Sequence, residues 1–212
     1  MSGEASLDPA ELGRMPLATV LESISAAEPV PGGGAVAGLV EAIGAALGLM
    51  VVGYSEGRKS LADHAAMHAD AREQLEGHRR DALELAAADA AAYARLNALW
   101  RRPADDPERR AGMPEAVAAA IAAPRAMAET GLRTLESLER LVGRSNRHLG
   151  SDLAIAAILA EAAVRSAIWN VRINLPWLED DAARTEVRRF AEQSLKEAAS
   201  RCRRIEESVA EA

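Results

Sequence analysis

The chain has 212 residues, 49% hydrophobic and only 3% aromatic, with a single cysteine and a formal net charge of −7. That is enough for one domain with a real core packed by Ala, Leu, Val and Ile, and it excludes an intrachain disulfide or a cysteine metal cluster. The charge argues against a nucleic-acid partner, because the densest basic stretch (Arg101, Arg102, Arg109, Arg110) is interrupted by Asp105, Asp106 and Glu108.

The opening MSGEASLDPAELGR is polar and acidic and lacks the pattern of a signal peptide, so residues 1–15 read as a flexible N-terminal segment of a cytoplasmic protein. Residues 16–212 read as one all-α domain, a bundle of about six helices. The first spans roughly Pro16 to Ala27, with Leu17, Val20, Leu21 and Ile24 on one face. The second follows three glycines and spans about Ala35 to Ser55. The third runs from about Leu61 to Leu99. Pro103 and Pro107 mark a loop, and the fourth helix covers about Pro114 to Leu141, with a kink expected near Pro124. Gly143 to Ser151 is a second loop. The fifth helix spans about Asp152 to Asn174 and is stopped by Pro176. The sixth, about Asp180 to Val209, is charged outside, with Leu195 and Ile205 inside.

The second and fifth helices are apolar nearly all round. Such helices are buried in a core, a membrane or a subunit interface. The second is long enough to cross a bilayer and carries paired small residues, Gly34 with Gly38 and Gly44 with Gly48. Glu41 inside it, and Glu161 and Arg165 inside the fifth, argue against hydrocarbon. Two buried helices at a homodimer interface is the expectation, with the glycines allowing close contact there.

The run GGGAVA, Gly32 to Ala37, formally fits the dinucleotide fingerprint, but no strand precedes it and no βαβ unit follows. A phosphate-binding P-loop is excluded by the absence of Gly-Lys-Ser/Thr. The glycines either let backbone approach a ligand at a helix N-terminus or make a tight interhelical turn. In the third helix, Ala82, Leu85, Asp89, Ala92 and Leu96 share a face, so Asp89 lies on an apolar stripe with Tyr93 one turn on. A buried carboxylate needs a partner or takes a raised pKa, as active-site carboxylates do. Ser151 or Asp152 would cap the fifth helix. Asn170 and Asn174, one turn apart among Ile168, Trp169, Val171 and Ile173, must hydrogen-bond a neighbour or a ligand. His64, His68 and His78 read as a solvated face, since no third ligand completes a metal site. Cys202, between arginines, reads as incidental.

Five motifs in order resemble the formiminotransferase-cyclodeaminase C-terminal family: PVPGGGAVAGLVEAIGAALGLMV followed by GRK, then ADAAAY, then N-x-H-x-x-S-D, then NVRINL and a charged final helix. The resemblance covers about Leu17 to Val209. It implies an all-helical, dimeric folate enzyme whose substrate lies in a cleft associated with the subunit interface. Carried over residue by residue, Pro31, Gly32, Gly33 and Gly34 match its P-G-G-G start, and Lys59 its basic position after the second helix. Asp89 and Tyr93 match its D-x-x-A-aromatic motif. Asn146, Ser151 and Asp152 match N-x-N-x-x-S-D, and Asn170 and Asn174 match N-V-x-x-N. Two departures stand out. His148 replaces the second loop asparagine, and RRPA (Arg101 to Ala104) stands where the family has L-P-K, so that Arg101 or Arg102 would have to replace its lysine.

The resemblance implies chemistry at the carbon bridging N5 and N10 of tetrahydrofolate. Asp89 is the implied proton acceptor and Lys59 the second catalytic residue. Pro31, Gly32 to Gly34, Tyr93, Asn146, His148, Ser151, Asp152, Asn170 and Asn174 are the implied substrate-binding set. Tetrahydrofolate is the carrier substrate, and no metal or other cofactor is implied. Cyclohydrolase is the leading reading. A cyclodeaminase and a catalytically inactive folate-binding relative are the alternatives, and a helical membrane or interaction protein is the competing class.

Overall fold

A computed structural model describes residues 9–211, and among them there are only helices. Six α-helices follow in order: α1 Leu17–Ser25, α2 Gly33–Gly53, α3 Ala65–Trp100, α4 Pro107–Leu141, α5 Gly150–Asn174 and α6 Asp181–Ala210. Short 3-10 turns occupy Pro9–Arg14, Lys59–His64, Arg147–Leu149 and Leu175–Trp177. Of the segment read as flexible, residues 1–8 lie outside the described range. Pro9–Arg14, by contrast, is an ordered turn whose Leu12 is buried with Val20, Ala35 and Ala86.

The expected helices are all present, with one boundary moved by a full two turns. Helix α4 starts at Pro107 instead of Pro114. The reason is local: the Asp106 side chain accepts from the backbone N–H groups of Glu108 and Arg109, and Pro107 occupies the first helical position, where no N–H is needed. Pro114 and Pro124 both lie inside this helix. Asp180 caps α6 in the same way through Ala182 and Ala183.

Helices α2 to α5 form an antiparallel four-helix bundle. Gly34 of α2 lies opposite Asp89 of α3, and Gly48 opposite Leu75, so the two helices run in opposite directions. Gly33 lies against Asn170 and Gly44 against Ala156 and Ala160, so α5 also runs opposite to α2. Helix α6 covers α5 and α4 and is tied to α4 by Glu139, which takes ion pairs from Arg201 and Arg204. The main core gathers Val51, Leu75, Leu135, Leu138, Leu153, Ile168 and Ile205 from five of the helices.

The glycines of α2 serve this bundle and were misassigned by the sequence reading to contact between subunits. A Cβ on Gly38 would stand 2.7 Å from the Ala82 carbonyl oxygen, and one on Gly44 3.2 Å from that of Ala156. Both glycines therefore let α2 touch α3 and α5 backbone to backbone within one chain. The outer face of α2 is partly open: Val36, Val40, Ile43 and Met50 lie on it, with Ile43 55% exposed, while Leu39 and Leu47 at its edges pack against the Leu12–Val20 cluster and the main core. Ile155, Ile158, Trp169 and Ile173 of α5 are exposed as well, and so are Leu17 and Leu21 of α1, where only Val20 of the expected face is buried. By length and composition α2 could cross a membrane, with a mean hydropathy of 2.2, but its one charge, Glu41, points into the bundle.

Two histidines read as solvated are in fact internal. His68 is 1% exposed, and its Nε2 lies 2.6 Å from the Arg144 carbonyl, which pins α3 to the turn after α4. His78 is buried beside Thr134, with Nδ1 3.3 Å from the hydroxyl. That hydroxyl donates to Glu41 Oε1, while Oε2 of the same carboxyl has no partner among the described residues. Burial raises the Glu41 pKa to about 7 against the pull of Thr134 and Arg133, and burial with Arg133 lowers His78 to about 4. Cys202 is also buried, and its thiol is pushed up to about 12, so it is inert at neutral pH.

The opposite shifts of Glu41 and His78 make stability depend on pH in a defined way. The unfolded carboxyl ionises near 4.5, the folded one near 7. Its contribution is full below 4.5 and declines as pH rises to about 7, by about 3 kcal/mol at 1.36 kcal/mol per unit. His78 acts the other way: its contribution is full above the unfolded value of 6.5 and is lost as pH falls towards 4. Glu41→Gln removes only the first effect. Urea unfolding should show the variant gaining roughly 2–3 kcal/mol on the parent at pH 8 compared with pH 4.5. An equal difference at both pH values would mean that Glu41 is not held neutral.

Candidate active site

At the α2 N-terminal end of the bundle is a cavity of about 300 Å³. Its walls come from four places in the chain: the turn before α2, the second half of α3, Ala120 of α4, and the last turns of α5. Gly32 to Gly34 form the rim. The Gly32 side of the helix start has no side chain capping it, so the first N–H groups of α2 are left for a ligand. The Val30–Pro31 peptide is cis, and Pro31 is buried behind the rim.

Asp89 enters this cavity against the first turn of α2. A Cβ on Gly34 would collide with Asp89 Oδ2, so the carboxylate fills the space that any other residue would take. Among the described residues Asp89 makes no hydrogen bond or ion pair, and burial raises its pKa to about 6. Next to it, Tyr93 lines the cavity and is 39% exposed.

Asn170 and Asn174 face Asp89 from α5. Their hydrogen bonds resolve which end of each amide meets the cavity. Asn170 Nδ2 donates to the Ser166 carbonyl at 2.9 Å. Asn174 Nδ2 donates to the carbonyls of Ala120 at 3.1 Å and Asn170 at 3.0 Å. Carbonyls accept only from N–H, so both NH₂ groups are anchored and both Oδ1 atoms are free to accept. The site thus combines backbone donors, two fixed amide acceptors, a half-buried base and an aromatic wall. This arrangement suits a flat heterocycle with N–H groups along an edge.

The other proposed residues lie at the far end of the bundle. Lys59 is exposed at the start of the turn after α2, so the two residues of the implied catalytic set, Asp89 and Lys59, are not brought together within one chain. The intervening helix spans about 30 Å at 1.5 Å per residue. Asn146 is buried there and has a structural task. Its backbone N–H donates to Ser55 Oγ at 2.9 Å, and its Oδ1 accepts from the His148 N–H. His148 and Ser151 are exposed and Asp152 is half-buried. Neither Ser151 nor Asp152 caps α5, because the helix continues directly from the 3-10 turn and begins at Gly150. Arg102 is held by Asp106 at 3.0 Å and by Glu108, and is not free for a ligand.

Pro29, Val30, Ala120 and Ile173 also line the cavity and were not singled out from sequence. An alanine in an alanine-rich helix carries no local signal, and only the packing of α4 against α5 brings the Ala120 carbonyl to Asn174.

Residues 16–193 match the sequence model of a family described as formiminotransferase-cyclodeaminase. A methenyltetrahydrofolate cyclohydrolase of Methylorubrum extorquens is 30% identical over 189 residues, 87% of this chain and 88% of that one. The formimidoyltransferase-cyclodeaminase of Sus scrofa is 33% identical over 187 residues, and this chain spans only 35% of its length. A crystal structure of formiminotetrahydrofolate cyclodeaminase from Thermotoga maritima shares the fold, with a TM-score of 0.87 over 94% of this chain and 98% of that chain, at 24% identity.

Gly34→Ala tests the close approach. The Asp89 side chain can rotate, so the methyl group displaces the carboxylate at little cost to the fold. In the parent, carbon-detected NMR should show the Asp89 carboxyl titrating near pH 6; in Gly34→Ala it should move down towards the ordinary 3.8. An unchanged titration would mean that the carboxylate does not sit on Gly34.

Proposed function

Because the chain belongs to the formiminotransferase-cyclodeaminase family, we propose that it is a folate enzyme, a methenyltetrahydrofolate cyclohydrolase of one-carbon metabolism. The observation that carries this reading is Asp89, a desolvated carboxylate pressed against a glycine helix start and facing two anchored amides. One relative matched along most of both lengths is a cyclohydrolase. The second reading is formiminotetrahydrofolate cyclodeaminase, favoured by the fold match and by the two-part relatives.

The chemistry follows from the charges. The methenyl substrate is a cation, and an ionised Asp89 at neutral pH stabilises it. Water adds to the bridging carbon as Asp89 accepts its proton. The carbon–N5 bond then breaks, N5 takes a proton, and the new hydroxyl loses its own as the formyl C=O forms on N10. One proton is released overall. A pKa near 6 suits both acceptance and return of the proton. The Asn170 and Asn174 oxygens accept from the pterin N–H edge, the α2 N–H groups donate to its carbonyl, and Tyr93 covers its face. In the deaminase reaction N10 attacks the formimino carbon and ammonia leaves, with the same base assisting.

We further propose a homodimer in which a second copy covers the outer faces of α2 and α5. These faces are largely apolar, interrupted on α5 by Arg165 with its partner Glu161, and they run between the two separated sets of family residues. An antiparallel, two-fold pairing would carry Lys59, His148, Ser151 and Asp152 of each subunit towards the other's Asp89. Lys59 would then add a donor that a single chain lacks.

Asp89→Asn keeps size and removes the base. It should retain its melting temperature and folate binding while the ring-opening rate falls by about 10²-fold or more. Decay of methenyltetrahydrofolate absorbance above the buffer rate supports the cyclohydrolase; turnover of the formimino compound alone supports the deaminase; folate binding with turnover of neither leaves the inactive relative. The shared site has its own test. Lys59→Met and Asp89→Asn proteins, each nearly inactive, should regain about a quarter of the parental rate when mixed and allowed to exchange subunits, since half the dimers are hybrid with one intact site each. No recovery would place both residues in separate roles.

A further inference from the structure

The centre of the bundle holds a polar cluster that the candidate active site does not use. Glu41 of α2 and Thr134 of α4 are fully enclosed, and His78 of α3 is 8% exposed. The Thr134 hydroxyl stands between the other two. It shares a hydrogen bond with Glu41 Oε1 on one side and lies 3.3 Å from His78 Nδ1 on the other. The second carboxyl oxygen, Oε2, has no partner among the described residues and is packed towards Gly131. At this level α5 contributes Ala160 and Val164, and α2 carries no other charge. The charged groups beside the cluster are Asp81 of α3 and Arg133 of α4, which lie 3.9 Å from each other.

A hydroxyl has one proton and donates to one neighbour at a time. Two arrangements therefore satisfy all three groups. With Glu41 protonated, Oε1–H donates to Thr134 Oγ1, the hydroxyl donates to His78 Nδ1, and the ring carries its proton on Nε2. With Glu41 ionised, the hydroxyl donates to Oε1, His78 donates to the hydroxyl from Nδ1–H, and Nε2 is left without a proton. Every bond in the chain points the other way in the second arrangement. A mixture of the two sets lone pair against lone pair, or proton against proton, in a buried place where an unmade hydrogen bond is costly.

We propose that Glu41, Thr134 and His78 form a proton relay whose hydrogen bonds reverse when Glu41 ionises, a pH-sensitive switch that turns the outer nitrogen of His78 from donor to acceptor. The balance is one proton. Glu41 gives its proton to Thr134, Thr134 passes its own to Nδ1, and Nε2 releases one to water. The carboxyl ends as a carboxylate, and the hydroxyl and the ring end neutral. Glu41 has no other hydrogen-bond partner among the described residues, so this chain is its route to solvent, and His78 is the one member that reaches the surface. Burial and Arg133 hold His78 down to about 4, so the ring hands the proton on and does not keep it.

The ring nitrogens report the switch directly. Nitrogen NMR of the full chain, labelled at histidine, distinguishes Nε2–H from Nδ1–H, and His78→Gln assigns the signal. In the parent, His78 should carry its proton on Nε2 at about pH 5.5 and on Nδ1 at about pH 8.5, with the change centred where Glu41 titrates, at about 7. Glu41→Gln keeps the size and cannot ionise, so its His78 tautomer should be the same at both pH values. Thr134→Val removes the hydroxyl and should abolish the change as well. The same tautomer at both pH values in the parent, or a change that persists in Glu41→Gln or in folded Thr134→Val, would overturn the proposal. Should Thr134→Val fail to fold, the parent and Glu41→Gln decide it between them. No turnover is measured, so the outcome is independent of the folate reading.

Discussion

Helix α2 has no polar face, and the rest of the molecule is arranged around that fact. Its inner side is a seam of glycine and alanine that brings it into backbone contact with α3 and α5, and its outer side is a strip of larger apolar residues left open to a neighbour. The small residues are what make the crossings close. Close crossings in turn set Asp89 directly on Gly34 and Asn170 beside Gly33. Bundle packing and site geometry therefore depend on the same absence of side chains along one helix. Of the α2 side chains, Glu41 alone is charged. Burial pushes its pKa up to about 7 against the opposing hydrogen bond from the Thr134 hydroxyl, at the point where α2, α3 and α4 meet.

Antiparallel packing has a consequence for function. Because α2 and α5 run in opposite directions, the start of one is level with the end of the other. The glycine rim of α2 and the asparagines of α5 meet at one end; Ser55 and Asn146 meet at the other, the end of the bundle where Lys59 and Asp152 also lie. The family motifs thus fall into two groups about one helix length apart. Asp89, with its raised pKa, lies in the group that also holds the glycine helix start and the two amide acceptors. The second group contains Asn146, whose hydrogen bonds close the junction of α2 and α5, beside exposed residues that have no chemical neighbour in the single chain. The apolar strip between the groups is the physical reason to expect a second copy.

Much of this was legible from the amino-acid order. The helical class, the lengths of the helices and the apolar character of α2 and α5 follow from residue types and spacing, which are local properties. Asp89, Asn170 and Asn174 stood out because a polar residue on an apolar stripe is conspicuous without knowledge of its neighbours. Pairings between helices were not legible. Gly38 and Gly44 read as intersubunit contacts because a small residue announces a close approach but not its partner. His68 and His78 read as solvated because their acceptors, the Arg144 carbonyl and the Thr134 hydroxyl, are more than fifty residues away.

Sequence alone, then, determined an all-helical chain with a glycine helix start, a carboxylate on an apolar face and two amides a turn apart. Each of these is set by the 3.6-residue period and by the chemistry of single side chains. Tertiary structure decided that Gly34 and Asp89 occupy one space, that the amides turn their oxygens inward, and that Lys59 is remote from Asp89 within the chain. The physical reason is that contact between helices depends on which faces meet and in which direction they run, and only the closed bundle settles that.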